Sequence, residues 1–241
     1  MRDRLILLPG WGLGISPLQP LAAALQGLDE HLRVDIEPLP RLESHDAGEW
    51  LDELDANLPQ DTWLGGWSLG GMLATELAAR RGDRCCGLLT LASNPCFVAR
   101  QDWPHAMSDE LFEAFLAGCR ESPRQTLKRF SLLCAQGAVD DPRGLSRLLS
   151  AAAPSTALEP GLQVLAQLDT RAALQAYRGP QLHLFAGADA LVPAEVAGEL
   201  LALLPDVEIG LIEQASHAFV LEDPHGVAGA IQAFLHESGD D

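Results

Sequence analysis

Four short, nearly uninterrupted apolar runs, Leu5–Pro9, Arg33–Pro38, Thr62–Trp67 and Gly87–Ala92, follow one another along the chain. They recur at intervals of about 25–30 residues, the length of a strand, a crossover helix and the return to the next strand. Amphipathic stretches fill the gaps. A strand that is apolar along its whole length must be covered on both faces, and that happens in parallel sheets packed between helices. Two later runs, Gln181–Ala186 and Val207–Ile212, add to the set. The expected class is therefore α/β, with a mostly parallel sheet of about six strands flanked by helices. The 241 residues suit one such domain with a modest insertion.

The rhythm breaks between Ala92 and Gln181, where only helical patterning is found. Ser108 precedes Asp109-Glu110, a capping side chain followed by acids at the positive end of a helix. Ser122-Pro123 and Asp141-Pro142 each place a capping residue before a proline at the first helical position. Asp169 is a further cap, for a short helix ending before Gly179-Pro180. Residues 98–176 thus read as an all-helical insertion, with 1–97 and 177–241 forming the α/β core.

Composition excludes several classes. Sixteen Lys+Arg against 34 Asp+Glu give a net charge of −18, the wrong field for a general nucleic-acid binder. No apolar run approaches the roughly 18 residues of a membrane-spanning helix. The opening Met1-Arg2-Asp3-Arg4 leads into an apolar run too short for a signal peptide. Five cysteines (Cys85, Cys86, Cys96, Cys119 and Cys134) show no CxxC pair and no zinc spacing, and read as reduced, buried thiols. A cytoplasmic monomer is expected, and the acidic tail Glu237–Asp241 reads as a frayed terminus.

Gly66-Trp67-Ser68-Leu69-Gly70 fits G-x-S-x-G between an apolar strand and a run of helix formers. So tight a strand-to-helix turn needs glycine on both flanks and pushes the serine out at the sheet edge. A serine hydroxyl needs a base, and the base needs an orienting acid. In this architecture the order is serine, acid, histidine, with each partner just after a strand. Asp189 follows Gln181–Ala186 and His217 follows Val207–Ile212, both at the edge where open α/β sheets carry their chemistry. Asp206 is the nearest rival acid. His183 lies within a strand and reads as core, while His31, His45, His105, His225 and His236 have nothing to recommend them. Acyl transfer also needs N–H donors for an oxyanion. The Leu69 N–H follows the nucleophile directly, and the Trp11 N–H lies in the Pro9–Gly12 loop after the first strand. The Trp11 indole is either a wall of the acyl pocket or packing beneath the loop. This chemistry calls for no metal and no organic cofactor.

Together these residues resemble the α/β-hydrolase superfamily over essentially the whole chain. Within it, Gly10-Trp11-Gly12, Gly66–Gly71, Leu91–Phe97 with Trp103-Pro104, and Thr126 with Arg129-Phe130 are similar to the pimeloyl-acyl-carrier-protein methyl ester esterases of biotin synthesis. The resemblance implies a serine carboxylesterase that removes the methyl group from a pimeloyl chain held on acyl carrier protein. It also implies that the helical insertion is a lid over the acyl chain. Substrate contacts would then fall on Trp11, Ser68, Leu69, Pro123, Arg124, Gln125, Thr126, Leu127 and His217. Pro9 stands where this family has a histidine, and Pro123 where an aromatic is expected. The chain starts at the Gly-Trp-Gly strand without the family's preceding hairpin, so a sheet of six strands is expected.

The charge pattern adds a separate pointer. Residues 117–149 carry Arg120, Arg124, Lys128, Arg129, Arg143 and Arg147 against three acids, a balance of +3 that leaves −21 on the rest. Such an island suits docking of an acidic carrier protein, because complementary fields steer encounter. Other readings stay open: a broad small-ester carboxylesterase, lipase or thioesterase; a hydrolase-fold lyase of the menaquinone-synthesis type; and a ligand-binding receptor on the same fold.

Overall fold

The computed structural model describes residues 3–151 and 157–238. Met1, Arg2 and residues 239–241 of the tail lie outside the described residues, as do residues 152–156 of the inserted stretch. The chain order is β1 (Arg4–Leu8), α1 (Gln19–Leu28), β2 (Arg33–Ile36), α2 (Ala47–Asn57), β3 (Thr62–Trp67), α3 (Leu69–Arg81) and β4 (Cys85–Leu91). Then come α4 (Asp109–Glu121), α5 (Pro123–Ala135), α6 (Pro142–Ala151), α7 (Leu158–Gln167) and α8 (Arg171–Ala176). The chain closes with β5 (Gln181–Ala186), α9 (Glu195–Leu203), β6 (Glu208–Ile212), α10 (Phe219–Glu222) and α11 (Pro224–Glu237).

The six strands form one sheet in the order β2-β1-β3-β4-β5-β6, and every neighbouring pair is parallel. The central strands explain the apolar runs: all six residues of β3 and all six of β5 are buried. α1 packs with α11, while α3 gathers α2 and α8 and lies along β3 and β4. Trp63 of β3 meets Phe234 of α11 edge-on, with ring centroids 5.8 Å apart. β6, at the sheet edge, stays partly exposed.

Of the helix starts read from sequence, Ser108 accepts from Leu111 N, and Asp141 accepts from Gly144 N at 2.9 Å. Ser122 precedes α5 but makes no side-chain cap bond there. Its φ of −149° and ψ of 80° belong to the joint that turns α4 into α5, and Pro123 is itself compatible with the first helical turn. Thr170, not Asp169, directly precedes α8, yet Asp169 Oδ1 accepts from Arg171 N at 3.3 Å at the start of that helix. The Asp169 carboxylate is held also by the Arg171 side chain, whose Nη2 lies 2.7 Å from Oδ2, and that guanidinium keeps the acid well below the usual carboxylate range. The five cysteines, all among the described residues, form no disulfide, and Cys85, Cys96, Cys119 and Cys134 are buried.

Candidate active site

β3 ends at Trp67 and α3 begins at Leu69, so the whole turn is one residue, Ser68. Ser68 has φ 56° and ψ −121°, a conformation costly for any residue with a Cβ. Tight packing holds it there. A Cβ on Gly66 would come 2.1 Å from the Gly70 carbonyl carbon, and one on Gly70 would come 2.2 Å from the Leu8 carbonyl oxygen of β1. Glycine at both positions lets α3 start against the sheet. Ser68 N donates to Leu91 O at 2.8 Å, and Ser93 Oγ donates to Ser68 O at 2.9 Å, so the strained residue is gripped from both sides by the end of β4. Leu69 opens a helix of 13 residues, where backbone N–H groups have no partner within the helix and the helix dipole is positive.

Asp189 and His217 meet at the same sheet edge, beyond β5 and β6. The His217 Nδ1 lies 2.8 Å from Asp189 Oδ2, and both side chains are sealed from solvent. The other aspartate oxygen, Oδ1, accepts from Leu191 N at 2.7 Å and Val192 N at 3.0 Å. Two backbone donors therefore fix the carboxylate, and the carboxylate fixes the imidazole. The far nitrogen, Nε2, is buried and has no hydrogen-bond partner among the described residues. Trp67, beside Ser68, donates through Nε1 to the His217 carbonyl at 2.9 Å, and its ring centroid lies 5.7 Å from the imidazole. The elbow and the histidine loop are thereby joined across 150 residues of sequence.

The rival assignments separate cleanly. Asp206 is exposed in the turn before β6, at the opposite sheet edge, because residues preceding a parallel strand lie away from its carboxyl end. His183 is buried within β5 with Nδ1 2.7 Å from Thr90 Oγ1, and burial lowers its pKa to about 3, so it stays neutral. His105 pairs with Glu199 at 2.6 Å on the surface.

The inserted helices close over these loops. Trp11 is buried, packs edge-on against Phe130 at 5.0 Å and Phe115 at 5.9 Å, and donates through Nε1 to Leu158 O at 2.7 Å. Its indole therefore ties the first loop to the helical cover. Gly12, at φ +72°, leaves room for Leu127, which a Cβ there would approach to 2.8 Å. Further along α5, Cys134 O accepts from Ala218 N, next to His217. Burial, and after it the charge of Asp189, push the Cys134 thiol well above the ordinary range, so it stays protonated. Of the lid segment expected to touch substrate, Thr126 and Leu127 are buried, whereas Pro123, Arg124 and Gln125 are exposed. Of the basic island, Arg120 pairs with Glu159 at 2.7 Å. Arg124, Lys128, Arg129, Arg143 and Arg147 are exposed and enter no ion pair among the described residues.

Two contributors have no role assigned from the sequence: Trp67, the variable position of the elbow motif, and Ser93, within Leu91–Phe97; their immediate adjacency to Ser68 and to the end of β4 is the available signal. A groove of about 720 Å³, lined among others by Leu145, Leu148, Ile212 and Leu221, lies between α6 and the β6–α10 region. It contains neither Ser68 nor His217. No group of three or more metal-ligating side chains occurs among the described residues. None of their helices is long and apolar enough to cross a membrane.

Residues 5–230 match the model of the alpha/beta hydrolase family. The chain is 38% identical over 242 residues to the biotin biosynthesis bifunctional protein BioHC of Cellvibrio japonicus, covering 97% of this chain and 47% of that protein. It thus spans about half the length of that relative. It is 34% identical to the pimeloyl-[acyl-carrier protein] methyl ester esterase of Aromatoleum aromaticum, covering 96% of this chain and 97% of that one. An esterase from Exiguobacterium antarcticum superposes with a TM-score of 0.80 at 17% identity, over 97% of this chain and 92% of its own, a likeness of fold. The chain belongs to the alpha/beta hydrolase family and, within it, stands with the pimeloyl-[acyl-carrier protein] methyl ester esterases.

Proposed function

We propose that this chain hydrolyses the methyl ester of a pimeloyl group carried on acyl carrier protein, releasing methanol and the free carboxylate. The enzyme class, carboxylic ester hydrolase, follows from the family and its curated esterases. The observation that carries the mechanism is the His217–Asp189 pair: one imidazole nitrogen is fixed on a carboxylate and the other is buried and unpartnered next to the elbow. With Asp189 holding the proton on Nδ1, His217 Nε2 is the base that takes the Ser68 proton. Ser68 Oγ attacks the ester carbonyl, and the N–H groups of Trp11 and Leu69 receive the oxyanion. His217 returns the proton to methanol, and water attacks the acyl-enzyme with the same base. Thr126 and Leu127 face the acyl chain from the lid, and Asp189 stabilises the transient imidazolium.

The carrier docks on the exposed cations of α5 and α6. Arg124 and Arg147 suit the test because neither is held in an ion pair among the described residues. The double variant Arg124→Glu/Arg147→Glu should lower kcat/KM on a carrier-bound methyl ester by roughly 10-fold or more, mainly through slower encounter. Added salt should slow the unmodified protein on that substrate. Neither change should matter for p-nitrophenyl acetate, which is neutral. Equal losses on both substrates would mean a damaged lid. No loss on either would favour a small-ester esterase without a carrier.

A further inference from the structure

The mechanism above uses His217 but does not explain what holds its backbone. Three residues, Ser216, His217 and Ala218, lie in the irregular stretch between β6 and α10, and all three are buried. A buried serine hydroxyl needs a partner. That of Ser216 finds one carboxylate oxygen, Glu222 Oε1, at 2.5 Å, and the same oxygen accepts from Ser216 N at 2.8 Å. Ser216 Oγ in turn accepts from Ala218 N at 3.2 Å, a donor it shares with Cys134 O. Glu222 is the last residue of the single helical turn α10, which begins just after Ala218. Its side chain reaches back over that turn to the residue before His217, which in turn holds the residue after it. The pair Trp67 Nε1 and Asp189 Oδ2 sets the histidine's carbonyl and ring, while the Ser216–Glu222 bonds set the two residues that flank it.

We infer that Glu222 is a positioning residue of the esterase: acting through Ser216, it fixes the backbone on both sides of His217 and so the direction in which Nε2 points. This rests on His217 being the base. It assigns Glu222 a role as hydrogen-bond acceptor, which distinguishes it from a general acidic surface residue. The alternative is that the carboxylate only stabilises α10.

The test compares Glu222→Gln, Glu222→Ala and His217→Ala on p-nitrophenyl acetate, at a temperature where calorimetry shows each protein fully folded. His217→Ala should lose nearly all turnover; substantial turnover there refutes the reading of His217 itself, whatever Glu222 does. Given that loss, Glu222→Ala should lower kcat by roughly 10- to 100-fold with KM within about twofold, because a misaimed base slows the chemical step and not binding. Glu222→Gln keeps an acceptor oxygen and should stay within about threefold of the unmodified kcat. In proton NMR, the downfield resonance of the His217 Nδ1 proton should broaden in Glu222→Ala and persist in Glu222→Gln. A folded Glu222→Ala with a lowered Tm and unchanged kcat overturns the inference and leaves Glu222 as a helix support. A Gln variant as slow as the Ala variant also overturns it, since the acceptor would then be beside the point. Should Glu222→Ala fail to fold, Glu222→Asp carries the test: its shorter side chain withdraws the carboxylate from both Ser216 N and Ser216 Oγ, and an unchanged kcat in that folded variant would refute the role.

Discussion

Replacing Asp189 by asparagine tests the acid's task with no change of shape. In the structure Oδ1 accepts two backbone N–H bonds, from Leu191 and Val192, and Oδ2 faces His217 Nδ1 at 2.8 Å. An asparagine has one carbonyl oxygen to share between these two sides. Turning its NH₂ toward Leu191 and Val192 would leave two buried donors unpaired, at about 1–3 kcal/mol each. The amide oxygen therefore stays with the backbone, and the NH₂ faces the imidazole. A donor there demands a lone pair on Nδ1, so the histidine proton moves to Nε2, the nitrogen that has to act as base. A base in the wrong tautomer costs roughly 10³- to 10⁴-fold in kcat, or about 4–5.5 kcal/mol of transition-state stabilisation. The loop bonds survive, so Tm should change by no more than a few degrees. The assay is steady-state turnover of p-nitrophenyl acetate, with Ser68→Ala defining the background, beside calorimetry. Asp189→Asn retaining more than a tenth of the unmodified kcat would refute the assignment. A collapse of Tm accompanying the loss would refute the hydrogen-bond argument behind it.

Two further outcomes concern the scaffold. Gly70→Ala should cost about 3 kcal/mol or more, because the new Cβ would lie 2.2 Å from the Leu8 carbonyl oxygen in a place where neither backbone can yield. Calorimetry should show a Tm lower by on the order of 8 °C. His183 stays neutral when folded, with its pKa lowered to about 3 by burial, whereas unfolded it titrates near its ordinary value of 6.5. Between those values the unfolded chain binds the extra proton, so this residue's effect is nil above pH 6.5 and grows as pH falls toward 3. From pH 7 to pH 5 it should remove about 2 kcal/mol of stability, visible as a steeper urea-midpoint shift than in His183→Gln.

Much of this molecule was legible because its signals are local. An apolar run buried on both faces reads the same wherever the chain goes next, which is why all six strands are legible, β3 and β5 to the residue and the others with ends displaced by one or two residues. The elbow is legible for a related reason. Gly66 and Gly70 are needed within five residues of each other, so the steric demand that creates Ser68's conformation is written beside it. That Asp189 and His217 lie side by side accords with the serine, acid, histidine chain order and with the place of each just after a strand. The contacts that escaped are those in which packing chooses among many equivalent partners. A tryptophan in the elbow motif could have donated anywhere; it donates to His217, 150 residues away. Asp169 accepts the Arg171 N–H as a cap would, but the Arg171 guanidinium also takes both of its oxygens, a pairing that spacing alone does not announce.

The helical cover shows where sequence spacing and structure divide the work. α5 repeats apolar or small residues on one face, and that face meets two loops in turn. Leu127 rests on Gly12 of the first loop, Phe130 packs on Trp11, and the Cys134 carbonyl receives the N–H next to His217. Just beyond the helix, a Cβ on Gly137 would come 2.0 Å from the Ala188 carbonyl, beside Asp189. The same helix exposes Arg124, Lys128 and Arg129 on its outer side. One helix of 13 residues thus carries the candidate docking charges on one face and leans on the loops of Trp11 and His217 with the other. In the proposed reading, a carrier bound outside would press on the loops of Trp11 and His217. Chemistry on a carrier-bound ester and chemistry on a small free ester therefore need not respond alike to changes in α5. That divergence is what comparing the two substrates measures.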